Sequence, residues 1–380
     1  MNLISYGKQT IEQDDIDAIV AVLKSDFLTT GPKVKEFEEA ICKYTGARYC
    51  VSVSNGTAAL HLASLVLLEE NNKVLTTPNS FLATSNSILY AKAKPIFIDI
   101  YEDGNINLDL CEQALKEDKS IKALYAVHFS GNLVNQANLK YLKEKYKIKI
   151  LEDCSHSLGA YEEDVKAGSC KNSDISTFSF HPVKNVTTGE GGAITTNSRE
   201  IYEKLLLLRT HGMKINLEVA PWHYDMQELG FNYRLTDISC ALGISQLKKI
   251  DKFLDARHTI AKKYDDFFEN IDFIKPLYFY TNNSAYHLYV IEIDFDKLNI
   301  NKIDFVLKMK EKKIALQLHY IPINKQPYYK NLGYGKENTP IMDEYYKKAI
   351  SLPIYPNLSH EEQEYVCKTI LEIIKKEEKK

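Results

Sequence analysis

Short apolar runs alternate with amphipathic helical stretches, and that alternation restricts the fold of this 380-residue chain more than any other feature. After "RYCVSVS" comes "NGTAALHLASLVLLEE"; "KVLTTP" is followed by "FLATSNSILYAKA", and "KPIFIDI" by "NLDLCEQALKE". "IKALYAVHF" is then followed by "NQANLKYLKEKY" and "IKILEDCS". Apolar runs bounded by Gly, Pro, Asn and Ser, with helices between them, predict a mostly parallel α/β sheet covered on both faces. Ligands of such sheets sit outside the carboxyl ends of the strands. The stretches to search are therefore 54–57, 78–81, 153–156 and 179–184.

Local signals set the expected boundaries. Thr10 with Gln13 forms a capping box ahead of "IDAIVAVLKS", and "KVKEFEEAICKYTG" ends at Gly46. From about residue 251 the texture changes. A long helix "FLDARHTIAKKYDDFFEN" leads to "YHLYVIEID", the helix "KIDFVLKMKEKK", a strand "IALQLHY" and a final helix after "PNLSHEEQE". The expectation is a large α/β domain over 1–250, with an N-terminal substrate segment, and a smaller α+β domain over 251–380.

The formal net charge of −3 provides no basic surface for nucleic acid or an anionic membrane. No apolar run approaches the ~20 residues of a membrane span. "MNLISYGKQTIEQDD" lacks the basic and apolar regions of a signal peptide. The seven cysteines are scattered and never spaced as Cys-x-x-Cys, against a disulfide framework, a zinc ribbon or an iron–sulfur cluster. A cytoplasmic protein without a metal site is expected.

The chemistry concentrates in "FSFHPVKNVTTGEGG", where Lys184 stands between a proline turn and a glycine turn. A lysine at the functional edge of a sheet loses its proton more easily through desolvation. The neutral amine then condenses with an aldehyde to a Schiff base, as pyridoxal 5'-phosphate (PLP) requires. An isolated lysine is more often a solvated strand cap, so the neighbouring strand ends decide. Asp153, directly after "IKILE", is the carboxylate PLP needs beside its ring nitrogen, or else a helix N-cap. "SNGTAAL" supplies Gly56, the Thr57 hydroxyl and a helix N-terminus for the phosphate, and Ser179 adds a second hydroxyl. Phe81 is placed to stack on one ring face and His156 to touch the ring from the other side.

"EDCSHSLGA", "FSFHPVKNVTTGEGGAITT", "RTHGM", "MQELGFNYRLTDISCALGISQLKKID" and "LQLHYIPINKQPYY" together resemble the DegT-type sugar-nucleotide aminotransferases, fold-type I PLP enzymes, over nearly the whole chain. The resemblance implies that Lys184 carries the cofactor covalently. It gives Asp153 the ring nitrogen, and Thr57, Gly56 and Ser179 the phosphate. Many relatives have glutamine where His156 stands. Asn232, in "GFNYRLTD", would reach the phosphate held by the other subunit of a homodimer; read by itself, that stretch is a turn before a helix capped by Thr236 or Asp237. For the sugar nucleotide the resemblance points to Tyr6, Asp26, Phe27, Leu28, Thr29, His319 and Tyr320, with Arg234 for an anionic group. The implied substrates are L-glutamate as amino donor and a UDP-linked 4-keto-6-deoxy-N-acetylhexosamine as acceptor, altro- or gluco-configured. One lysine serving as base in both half-reactions implies ping-pong kinetics. A 3-dehydratase of the same family would carry histidine in place of Lys184, and a non-catalytic relative would not need the intact set of Lys184, Asp153 and Ser179.

Overall fold

A computed structural model describes residues 3–378. Its central sheet has seven strands: β1 (Tyr49–Val53), β2 (Lys73–Thr76), β3 (Lys94–Phe97), β4 (Ile121–Val127), β5 (Lys149–Asp153), β8 (Ile175–Ser179) and β9 (Gly192–Thr196). A two-residue hairpin, β6 (Tyr161–Glu162) and β7 (Val165–Lys166), lies in the connection from β5 to β8. The order across the sheet is β1-β9-β8-β5-β4-β2-β3. Only β9 runs against the others, so the sheet is mostly parallel, as the alternating sequence predicts.

Helices α3 (Gly56–Leu67), α4 (Leu82–Tyr90), α5 (Leu108–Glu117) and α6 (Gln136–Tyr146) fill the crossovers, while α1 (Gln13–Leu23) and α2 (Pro32–Thr45) precede β1 and α7 (Arg199–Arg209) and α8 (Asp237–Leu247) follow β9. Several open on a side chain that takes an otherwise orphaned backbone N–H, among them Asn55 for α3, Asn107 for α5, Asn135 for α6 and Thr236 for α8. Gly46 ends α2 at φ 86°, a left-handed cap. The capping box of α1 is formed by Glu12 and Asp15, not by Thr10 and Gln13. Thr10 is instead buried, its carbonyl accepting from Gln246 Nε2 of α8 at 2.9 Å. Tertiary contact moves the helix start by two residues.

Between α7 and α8 a hairpin, β10 (Met213–Ile215) with β11 (Tyr224–Met226), stands apart from the central sheet, and after α8 the helix α9 (Ile250–Phe268) leads into the second part of the fold. There β12 (Ile274–Pro276), β13 (Tyr289–Ile293) and β14 (Ala349–Leu352) form an antiparallel sheet. Helices α10 (Lys302–Glu311), α11 (Pro327–Asn331), α12 (Pro340–Lys348) and α13 (His360–Glu377) accompany it. Its core joins Tyr264 and Phe268 of α9 to Ile291, Phe305, Ile350 and Ile370. Ile4 belongs to the same cluster and exchanges backbone bonds with Lys313 (2.9 Å) and Ala315 (2.8 Å). The N-terminal segment thus lies on the second part of the fold. The expected strand "IALQLHY" is not a strand: Ile314 bridges Ile4 and Gln317 bridges Ser351, each singly. Among the described residues, no helix is long and apolar enough to cross a membrane.

Candidate active site

A cavity of about 940 Å³ opens at the carboxyl ends of β5 and β8, where a mostly parallel sheet binds its ligands. That volume lies at the upper end for small-molecule sites, roughly 300–1,000 Å³. Of the residues expected from the sequence, Tyr6, Gly56, Thr57, Phe81, Asp153, His156, Ser179, Lys184, His319 and Tyr320 line it.

Lys184 is presented by the loop between β8 and β9. That loop is closed on itself by Phe180 N–H to the Gly191 carbonyl (2.8 Å), Thr188 N–H to the Phe180 carbonyl (3.0 Å) and Lys184 N–H to the His181 carbonyl (2.9 Å). Asn185 Nδ2 donates to the Ala285 carbonyl at 3.0 Å, tying the loop to the second part of the fold. Burial pushes the Lys184 ammonium down to about 8, with the Asp153 charge acting in the opposite sense. An amine in that range supplies both a base and a nucleophile near neutral pH.

Asp153 ends β5 and is buried. Thr84 Oγ1 donates to its Oδ2 at 2.7 Å, and the Ser155 backbone N–H (3.1 Å) and Oγ (2.5 Å) donate to its Oδ1. Three donors hold the carboxylate in one orientation, and it faces the cavity without an ion-pair partner among the described residues. It caps no helix.

The anion cradle is set by close backbone approach. A Cβ on Gly56 would lie 2.9 Å from Ser179 Cβ, and one on Gly192 would lie 2.5 Å from the Asn55 carbonyl oxygen. With Asn55 Oδ1 taking the Ala58 N–H at 2.8 Å, the N–H groups of Gly56 and Thr57 remain at the start of α3, beside the hydroxyls of Thr57 and Ser179. Amine, oriented carboxylate and anion cradle around one cavity fit the three functional groups of PLP.

His156 is buried, and its Nδ1 accepts from the Ser130 backbone N–H at 3.3 Å. Desolvation first, then the nearby charge of Lys184, holds it well below the ordinary histidine range, so the ring is neutral. Its proton therefore sits on Nε2, which donates to the Tyr320 hydroxyl at 3.0 Å. That bond joins the central sheet to the segment carrying His319. His319 Nδ1 lies 2.8 Å from Ser351 Oγ, and burial pushes the ring down to about 3. Tyr6 packs on His319 with ring centroids 5.4 Å apart, while Phe81, 59% exposed, faces Tyr320 at 6.3 Å.

Six expected residues lie outside the cavity in the single chain: Asp26, Phe27, Leu28, Thr29, Asn232 and Arg234. They are neighbours of one another. Thr29 bridges Thr236, the Asp237 N–H donates to the Leu28 carbonyl at 3.0 Å, and Asn232 bridges Thr210. Asp26, Phe27, Leu28, Thr29 and Asn232 are exposed. The segment 26–29 follows the end of α1, and "GFNYRLTD" precedes the Thr236 cap of α8, as the turn reading expects. Conversely, Thr84, Ser155, His61, Tyr90, Tyr233 and His287 line the cavity without having been singled out in the sequence. Thr84 carried a signal in retrospect: a hydroxyl one turn into a helix that opens at a strand end. His287 carried another, a histidine immediately before the apolar run "LYVIEI".

Residues 9–371 match the DegT/DnrJ/EryC1/StrS aminotransferase family. The chain is 40% identical to the UDP-4-amino-4,6-dideoxy-N-acetyl-beta-L-altrosamine transaminase of Campylobacter jejuni, over 99% of each chain. Among solved structures it is similar to Helicobacter pylori PseC, an aminotransferase involved in the biosynthesis of pseudoaminic acid. There the TM-score is 0.93 at 31% identity, covering 99% of this chain and 100% of that one. The PLP-form of the putative sugar aminotransferase Spr1654 from Streptococcus pneumoniae superposes with a TM-score of 0.89 at 29% identity, over 98% and 99% of the two chains.

Proposed function

Because this chain belongs to the DegT/DnrJ/EryC1/StrS aminotransferase family, a family of PLP-dependent fold-type I enzymes, we propose that it moves an amino group from L-glutamate to C4 of a UDP-linked 4-keto-6-deoxy-N-acetylhexosamine. The acceptor of this reading is UDP-2-acetamido-2,6-dideoxy-β-L-arabino-hex-4-ulose, and the product is the altrosamine named for the Campylobacter relative. The carrying observation is Lys184, with its ammonium near 8, sharing one cavity with the oriented carboxylate of Asp153.

Lys184 would hold the cofactor's aldehyde end, Asp153 its ring nitrogen, and Gly56, Thr57 and Ser179 its phosphate. Bound there, PLP supplies an aldehyde through which amines exchange and a protonated ring that takes up the electrons of a breaking C–H bond. Asp153, fixed by Thr84 and Ser155, keeps a proton on the ring nitrogen. Lys184 Nζ takes the proton from the donor Cα in the first half-reaction and delivers one to sugar C4 in the second. His156 and Tyr320 wall the cavity, with Phe81 at its rim. The atoms balance as glutamate plus keto sugar going to 2-oxoglutarate plus amino sugar.

The sugar-nucleotide roles of Tyr6, His319 and Tyr320 rest on their position on the cavity wall. Those of Asp26, Phe27, Leu28, Thr29, Asn232 and Arg234 require a second subunit, so a homodimer with shared sites is part of this reading. So is a division near residue 250, supported by the separate sheets on either side of α9. A cytoplasmic setting is supported by seven cysteines that are all free.

The test is incubation with PLP, L-glutamate and a panel of UDP-4-keto-6-deoxy-HexNAc sugars, with product configuration read by NMR. The altro product is expected to dominate. Turnover of the gluco-configured isomer alone would overturn the substrate assignment.

A further inference from the structure

His287 lines the cavity, is only 4% exposed, and takes no part in the roles above. It stands just before β13, packed against His156 with ring centroids 4.4 Å apart and the rings tilted by 38°. Its Nδ1 is buried with no hydrogen-bond partner, which leaves Nε2 as the ring nitrogen facing the cavity. An unpaired buried N–H is costlier and rarer than an unpaired acceptor, so the proton of the neutral ring belongs on Nε2. The cavity therefore has a donor in its wall with no acceptor among the described residues.

The surrounding charge identifies the acceptor. Burial, and then the positive charges of Lys184 and Arg257, disfavour a cationic ring. Arg257 itself is 1% exposed and, among the described residues, has only backbone carbonyls as partners, those of Tyr286 (3.1 Å), His287 (3.3 Å) and Ile354 (3.0 Å). With Lys184 it makes this wall electropositive, and a buried positive field favours an anionic oxygen over a neutral one.

We propose that His287 donates its Nε2–H to a carboxylate oxygen of the amino donor and of the 2-oxo acid it leaves behind. This deepens the aminotransferase reading and rests on it, for it makes His287 a binding residue for the amino-acid half of the reaction rather than for the nucleotide sugar.

The experiment is calorimetric titration of PLP-loaded wild type, His287→Gln and His287→Met with 2-oxoglutarate and, separately, with UDP. A hydrogen bond to a charged group predicts 2-oxoglutarate binding weakened at least ~10-fold in His287→Met and partly restored by the amide donor of His287→Gln. UDP binding should stay unchanged. Equal weakening of both ligands, or unchanged 2-oxoglutarate binding, overturns the proposal. Should His287→Met fail to fold, 15N-histidine-labelled wild type answers instead. 2-Oxoglutarate must then shift the imidazole resonance that disappears in His287→Gln, and a resonance that does not move overturns the proposal. Normal 2-oxoglutarate binding without turnover of any UDP-4-keto sugar would defeat the sugar assignment and leave His287 in place.

Discussion

Lys184 is costly to the chain that carries it, because its ammonium is buried with only Asp153 to offset the desolvation. Its folded value near 8 lies below the ordinary 10.5, so between those values the unfolded chain binds more protons than the folded one. Stability from this group therefore rises with pH across that window, and the penalty is fully present below about 8. Replacing Lys184 by Met should raise the Tm of the cofactor-free protein at pH 7. The difference from wild type should shrink steadily toward pH 10.5. A pH-independent difference in Tm would show that the lysine is not held in its depressed state by burial. In the sequence the same residue stood out through its company: a lone lysine at a strand end reads as a solvated cap, and the carboxylate and small-residue turn at the neighbouring strand ends singled it out. His287 gave a weaker signal, because a lone histidine ahead of an apolar run reads as core until its neighbours are known.

At the scale of elements, the proposed phosphate cradle depends on how closely β9 approaches the turn into α3. A Cβ on Gly192 would meet the Asn55 carbonyl oxygen at 2.5 Å and the Gly56 nitrogen at 2.9 Å. Both are backbone atoms, which cannot rotate aside. Gly192→Ala should therefore push the Asn55–Gly56 turn away from Ser179, costing about 1–3 kcal/mol of stability, as overpacking does. PLP affinity, followed by absorbance titration, should fall along with it. The matched control is Gly189→Ala, at φ 82° with open space around its Cβ, which strains the backbone but spares the turn. Equal PLP affinity in the two variants would mean that the turn is not the phosphate site. The sheet was readable because its strands carry short apolar runs between turn residues and alternate with helices, whereas "IALQLHY" misleads. Its alternating apolar residues suit a strand, but the backbone finds only single-residue partners in Ile4 and Ser351 before turning His319 and Tyr320 toward the cavity. Sequence periodicity reports which face is buried and is silent on whether a neighbour exists to pair with.

The whole molecule leaves one surface without an explanation inside a single chain. Ile215, Leu217, Trp222, Tyr224, Met226 and Leu229 are all exposed on or beside the β10–β11 hairpin, Trp222 by 81%. Apolar side chains clustered in that way mark an interaction surface. Asn232 and Arg234 follow directly in the chain, with residues 26–29 alongside, so the expected site residues missing from the cavity are gathered on one outer face. In the proposed shared-site reading, a two-fold dimer that buries this face would carry the Asn232 of each chain toward the cavity of the other. Losing one hydrogen bond to a charged phosphate should weaken PLP by about 1.5–3 kcal/mol. The loss should be felt in the neighbour's site. Lys184→Ala and Asn232→Ala chains are each expected to be impaired alone. In a mixed dimer, the Asn232→Ala chain keeps its own Lys184 and receives an intact Asn232 from its partner. Random equal mixing makes half the dimers mixed with one complete site in two, so activity should return to about a quarter of wild type. Recovery at that level, under subsaturating PLP, requires the asparagine to act across the interface. If heterodimers form and activity stays at the level of the separate variants, Asn232 serves its own chain or does not touch the cofactor.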